Sequence, residues 1–208
     1  MGTFKAVLFD LGNVVIQLDE QRTYREFGAL GEISEAEAVS RFLSSPIFHD
    51  FERGNITEQA FMDGLRQLLG KPQLSDEKIQ WAWNTILEYI DPDLIQAIKQ
   101  MKAQYHLMVL SNTNSIHEKA FHQMLFAISG FQHLDQLFHD VYLSHQIRER
   151  KPDLASWQFI LNRHDFRPAE ILFLDDKPEN LAGADSLGIR TQLINHPGET
   201  MELIRKII

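Results

Sequence analysis

The chain has 208 residues, enough for one α/β domain or a core with a modest inserted domain, and too few for two full-sized domains. It contains no cysteine, which excludes disulfides, thiolate zinc sites and a thiol nucleophile, so any metal must bind oxygen or imidazole. A formal charge of −9 argues against nucleic acid as a partner, no apolar run is long enough to span a membrane, and the N-terminus has no signal-peptide pattern, so a cytoplasmic protein is expected.

The first element is residues 4–9, a short apolar run that ends at Asp10. From about residue 19 to residue 89 the pattern turns helical, with no convincing strand. Ser34-x-x-Glu37 reads as a capping box, Thr57 caps a helix ending at Gly70, and Ser75 caps a helix that carries Ile79, Trp83, Ile86 and Ile90. This stretch predicts an inserted α-helical cap over residues 17–90, dividing a core made of residues 1–16 and 91–208.

Asp91-Pro92 then starts a helix whose apolar stripe is Leu94, Ile95, Ile98 and Met101. Apolar runs follow at 107–110, 141–143, 171–174 and 191–194. Lys151-Pro152-Asp153 opens a helix through Trp157 and Ile160 in the same way, and Pro178 precedes a short helix that stops at Gly188. Continuous apolar runs separated by amphipathic helices are what a parallel sheet covered on both faces requires. The expected fold is therefore α/β, a Rossmann-like doubly wound parallel sheet carrying the helical cap.

In such sheets ligands bind beyond the carboxyl ends of the strands. The residues placed there are Asp10 after the first run, Ser111-Asn112 after the second, Lys151 in the loop after the third, and Asp175-Asp176 after the fourth. A lone Asp or Ser-Asn is ordinary turn chemistry, and a lone Lys a solvated helix start. Adjacent carboxylates at the end of an apolar run, however, repel unless a cation or hydrogen bonds compensate. The nine histidines show no His-Glu-x-x-His or similar ligand spacing, so each is read as a surface or structural residue.

Taken in order, these segments resemble the haloacid dehalogenase superfamily along nearly the whole chain. Phe9-Asp10-Leu11-Gly12-Asn13-Val14 is similar to its first motif, Leu110-Ser111-Asn112 to its second, Arg150-Lys151-Pro152 to its third, and Leu174-Asp175-Asp176-x-x-x-Asn180 to its fourth. Within the superfamily, Asp-Leu-Gly-Asn-Val resembles a bacterial group that includes α-D-glucose-1-phosphate phosphatases, as does the cap segment from Phe48 through His49, Phe51, Glu52 and Arg53 to Gly54.

The resemblance implies a Mg²⁺-dependent phosphatase acting on a small phosphorylated metabolite, with Asp10 attacking phosphorus to form an aspartyl phosphate. It implies Mg²⁺ ligands at Asp10, the Gly12 carbonyl and Asp176, with Asp175 direct or one shell out. Ser111 and the Asn112 amide would hold the phosphoryl oxygens, and Lys151 would balance charge. One departure stands out: most family phosphatases have an acid–base Asp where this chain has Gly12. The acid must come from the cap, from water, or not be needed; in the cap reading the segment faces the site, with His49 or Glu52 selecting the leaving group and replacing the missing acid. The alternatives are a catalytically weak binding protein, a phosphomutase or phosphotransferase, and a 2-haloacid dehalogenase; Asp175-Asp176 argues against the last. The sequence leaves the oligomeric state open.

Overall fold

The computed structural model describes residues 4–208; residues 1–3 of the expected core lie outside the described residues. Five parallel strands form the central sheet: β1 (Ala6–Phe9) in the middle, with β4 (His106–Ser111) and β5 (Asp140–Leu143) on one side and β6 (Ile171–Asp175) and β7 (Arg190–Leu193) on the other. Every β1 side chain is fully buried, which is why its sequence is continuously apolar rather than alternating. One face packs Val7, Phe9, Leu107 and Val109 against α6 (Pro92–Met101), α7 (Ser115–Ser129) and α11 (Pro197–Ile207). The other packs Leu8, Met108, Leu110 and Phe173 against α9 (Leu154–Leu161) and α10 (Pro178–Asp185), the two sides of a doubly wound fold. The short α8 (Ser144–Ile147) follows β5 directly.

The insertion is helical and has its own apolar core. It contains α1 (Glu20–Gly31), α2 (Glu35–Leu43), α3 (Ile47–Glu52), α4 (Glu58–Leu69) and α5 (Asp76–Asn84), packed around Phe27, Phe42, Phe61, Leu65 and Ile79. Thr57 and Gly70 bound α4 as the sequence indicates: Thr57 Oγ1 accepts from the Ala60 N–H, and Gly70 takes the left-handed conformation that ends the helix. Ser34 likewise caps α2 through the Glu37 N–H.

Three expectations need correction. The helix capped by Ser75 ends at Asn84, and Leu87–Ile90 instead forms β3, antiparallel to β2 (Ile16–Leu18). The two cap linkers therefore pair with each other, and cap and core meet at a two-stranded ribbon rather than at loose chain. Pro152 does not occupy the first turn of α9; Asp153 is the N-cap, and the Lys151–Pro152 peptide bond is cis. Finally, α10 ends at Asp185, three residues before Gly188, which takes a left-handed turn with φ +82° leading into β7. Among the described residues, no helix is long and apolar enough to cross a membrane.

Candidate active site

Parallel pairing places the ends of β4, β1 and β6 side by side. The register sets Phe9 opposite both Val109 and Leu174, so the next residues along each strand emerge together at the carboxyl rim. Asp10 is fixed there by its own N–H, which donates to the Leu174 carbonyl at 2.8 Å. Asp10, Gly12, Ser111, Asn112, Lys151 and Asp176 line one open cavity of about 150 Å³.

Lys151 joins the carboxylates. Its ammonium is 1 % exposed and lies 2.9 Å from Asp10 Oδ1 and 2.6 Å from Asp175 Oδ2, above the ring of Phe173. Burial pushes the Asp10 carboxyl up to about 6, Lys151 opposes that rise, and the Asp175 and Asp176 charges add to it. Burial acts to lower the Lys151 ammonium, but the two adjoining carboxylates outweigh it and hold the group above its ordinary range. The lysine is charged because it is enclosed by acids, and the acids tolerate burial because it is there.

Asp175 and Asp176 are adjacent in sequence but differ in surroundings. Asp175 is fully buried: Oδ2 meets Lys151, while Oδ1 accepts from the Lys177 N–H at 2.8 Å and Asn180 Nδ2 at 2.9 Å. Both of its oxygens are engaged by protein donors. Asp176 is half-buried on the cavity wall, where Oδ2 accepts from Asn13 Nδ2 at 3.0 Å. Carboxylate oxygens of Asp10, Asp175 and Asp176 lie within 4.8 Å of one another, and with only Lys151 enclosed among them the cluster keeps an excess of negative charge.

The turn after Asp10 carries Gly12 against Leu18. A Cβ added at Gly12 would come within 2.7 Å of Leu18 Cδ1, the far end of a side chain that can turn aside. Asn13, with φ 54°, closes this turn by accepting the Leu18 N–H on Oδ1 while its Nδ2 holds Asp176.

The cap residues are placed apart. Glu52 reaches the rim cavity, but Oε2 accepts from Arg150 Nε at 2.5 Å. Its neighbour Arg53 pairs with Asp153, so both residues grip the segment that carries Lys151. Gly54 (φ +65°) follows, and a Cβ there would lie 2.3 Å from the His145 carbonyl oxygen; only glycine permits this approach. His49 does not line the rim cavity. It lies in an adjoining cap cavity with Tyr24, Phe42 and Phe48, which shares Glu20, Glu52, Trp83 and Ile86 with the first.

The family model for haloacid dehalogenase-like hydrolases matches residues 4–188, spanning this entire arrangement. The chain belongs to that family. It is 27 % identical over 187 residues to D-ribitol-5-phosphate phosphatase of Bacteroides thetaiotaomicron, covering 90 % of each chain. A solved structure of a HAD-family enzyme from the same organism, in complex with magnesium and inorganic phosphate, matches with a TM-score of 0.84 and 32 % identity over 91 % of this chain and 93 % of that one. A predicted HAD-like hydrolase from Porphyromonas gingivalis matches with a TM-score of 0.88 and 28 % identity, covering 99 % and 98 %.

Sequence reasoning missed two residues of this candidate site, Asn13 and Arg150, and one side-chain role, that of Asn112. The Asn112 side chain, rather than only its backbone, grips Lys151; Asn13 orients Asp176; and Arg150 engages Glu52. Asn13 and Arg150 each sit one or a few residues from a residue already singled out, which was the available signal, but their partners are distant in sequence.

Proposed function

We propose that this hydrolase cleaves small phosphate monoesters, with sugar phosphates such as glucose 1-phosphate as its substrates, through an aspartyl phosphate on Asp10 and with Mg²⁺. The observation that carries this reading is the buried Asp10–Lys151–Asp175 chain beside Asp176. A cavity so rich in carboxylates repels an anionic ester unless a cation joins them, and hard oxygen donors suit Mg²⁺. Asp10, Asp176 and the Gly12 carbonyl would hold it, supplying charge neutralisation at the phosphoryl group. The engaged oxygens of Asp175 favour a different role for that residue, holding Lys151 rather than binding metal directly.

Asp10 attacks phosphorus: a carboxylate oxygen–phosphorus bond forms as the ester bond breaks, and water then cleaves the acyl phosphate to return Asp10 and release phosphate. Ser111 Oγ and the Asn112 N–H hold phosphoryl oxygens. Lys151 offsets the charge that accumulates between Asp10 and the phosphoryl group. With Gly12 two residues beyond the nucleophile, no acid stands there, and this favours leaving groups that need little protonation, such as the anomeric oxygen of a sugar 1-phosphate.

Phosphate release from sugar 1-phosphates, sugar 6-phosphates and pentitol 5-phosphates, with Mg²⁺ and with EDTA, tests both levels. Turnover that needs Mg²⁺ and disappears in Asp10→Asn supports the mechanism. A preference for 6-phosphates or for pentitol 5-phosphates over 1-phosphates would overturn the leaving-group reading while leaving the phosphatase reading in place.

A further inference from the structure

At the opposite end of the sheet from Asp10, three potential metal ligands from three separate segments converge. His106 opens β4, Asp140 opens β5, and His164 lies in the connection between α9 and β6. Their donor atoms, His106 Nε2, Asp140 Oδ2 and His164 Nε2, lie within 4.8 Å of one another. The first two are 2.6 Å apart and the last two 3.8 Å. Tetrahedral zinc with bonds near 2.0–2.1 Å sets its ligands about 3.3 Å apart, so the ion would replace the 2.6 Å His106–Asp140 hydrogen bond and widen that pair.

From this geometry we infer a transition-metal site, of the zinc class, at His106, Asp140 and His164, with the remaining position open to water. The donor set is two imidazoles and one carboxylate, which suits Zn²⁺, Co²⁺ or Ni²⁺ and not Mg²⁺.

The scaffold holds the ligands in advance. Asp140 pairs in register with Met108, two residues along from His106, so both ligands project from the same sheet face. His139 stacks on the His106 ring with centroids 4.6 Å apart, and Phe166 stacks on His164 at 5.7 Å. The Tyr142 hydroxyl, on the same sheet face as Asp140, hydrogen-bonds His164 Nε2 at 2.8 Å, a bond that an entering ion would displace. All three ligands are partly buried, with side chains 14–34 % exposed, so they are shielded yet open to an entering ion. The site would tether two strand starts to the segment before β6. It lies apart from the phosphatase chemistry and does not depend on it.

The test titrates the intact protein with Zn²⁺ or Co²⁺ under saturating Mg²⁺, comparing wild type with His164→Asn, His106→Asn and Asp176→Asn. One ion per chain is expected in wild type and in Asp176→Asn, with a tetrahedral Co²⁺ absorption spectrum and a Zn²⁺-dependent rise in melting temperature. Each histidine variant should bind more weakly by about 100-fold or more, at least the loss known for outer partners of a metal. Circular dichroism separates lost binding from lost fold, and His164→Asn lies in a connection where refolding is least at risk. Equal Zn²⁺ affinity in wild type and His164→Asn, or binding that disappears only with Asp176→Asn, would overturn the inference.

Discussion

Asn112 holds Lys151 by both ends of its amide: Nδ2 donates to the Lys151 carbonyl at 2.8 Å, and Oδ1 accepts the Lys151 N–H at 3.0 Å. The residue after β4 thus fixes the backbone from which the ammonium reaches Asp10. Asn112→Ala should lower kcat by about 10²-fold, the scale of loss when a charged group moves by roughly an ångström. It should also cost about 2 kcal/mol, because two backbone groups lose their partner. Steady-state kinetics with a thermal melt checks both, and unchanged kcat would show that the clamp does not position Lys151.

Lys151→Met removes the cation between two buried carboxylates and keeps a similar volume. Activity should fall by orders of magnitude, and stability at neutral pH by about 3 kcal/mol or more, the usual cost of leaving a buried charge without its partner. A strand-end lysine read from sequence alone would predict a small stability loss, because sequence does not show that its side chain is 1 % exposed. Denaturant unfolding separates the two outcomes.

Asp10, Ser111 and Asp175 were legible as rim residues because each ends or follows an apolar run, and a parallel sheet brings run ends together, whereas Lys151 reaches them from the loop after β5. The partners of the two asparagines were not, since Asn13 reaches Asp176 and Asn112 reaches Lys151 across long stretches of chain. The ribbon strand β3 was hidden for a related reason. Ile79, Trp83, Ile86 and Ile90 keep a helical spacing, and only pairing with residues 16–18, contributed from the far side of the cap, turns the last four residues into a strand. The residues of the rear cluster are far apart in sequence: strand register brings His106 beside Asp140, and the connection between α9 and β6 brings His164 to them.

His117 gives a pH prediction. It is buried between cap and core, stacked on Trp83 at 4.7 Å, with Nε2 donating to the Trp83 carbonyl at 3.0 Å and Nδ1 accepting from Asn114 Nδ2 at 3.1 Å. Burial pushes its pKa down to about 4, against 6.5 when exposed. Between those values the unfolded chain binds the extra proton, so this contribution is full above about pH 6.5 and is lost as pH falls toward 4. At roughly 1.4 kcal/mol per pKa unit it amounts to about 3 kcal/mol. His117→Gln should lose stability at pH 7 yet show a flatter fall in stability over this range; parallel profiles for the two proteins would contradict the assignment.

The last prediction decides how the cap serves the site. Glu52 was one of two cap candidates, with His49, for the leaving-group side of the site, yet its carboxylate accepts from Arg150, the residue before Lys151, and Arg53 pairs with Asp153, two residues after it. With Oε2 taken by the Arg150 guanidinium, the carboxylate is turned toward the Lys151 segment. The arrangement instead favours a role in seating the cap on the Lys151 segment. Glu52→Gln and Arg150→Gln should each lower turnover of sugar phosphates and of p-nitrophenyl phosphate, whose leaving group needs no protonation, by a similar factor. The double variant should lose little more than either single one, because both remove the same contact. A loss confined to sugar phosphates in Glu52→Gln, unmatched by Arg150→Gln, would return Glu52 to the role of acid; His49→Ala, altering the adjoining cap cavity, should raise KM with little change in kcat if that cavity receives the leaving group.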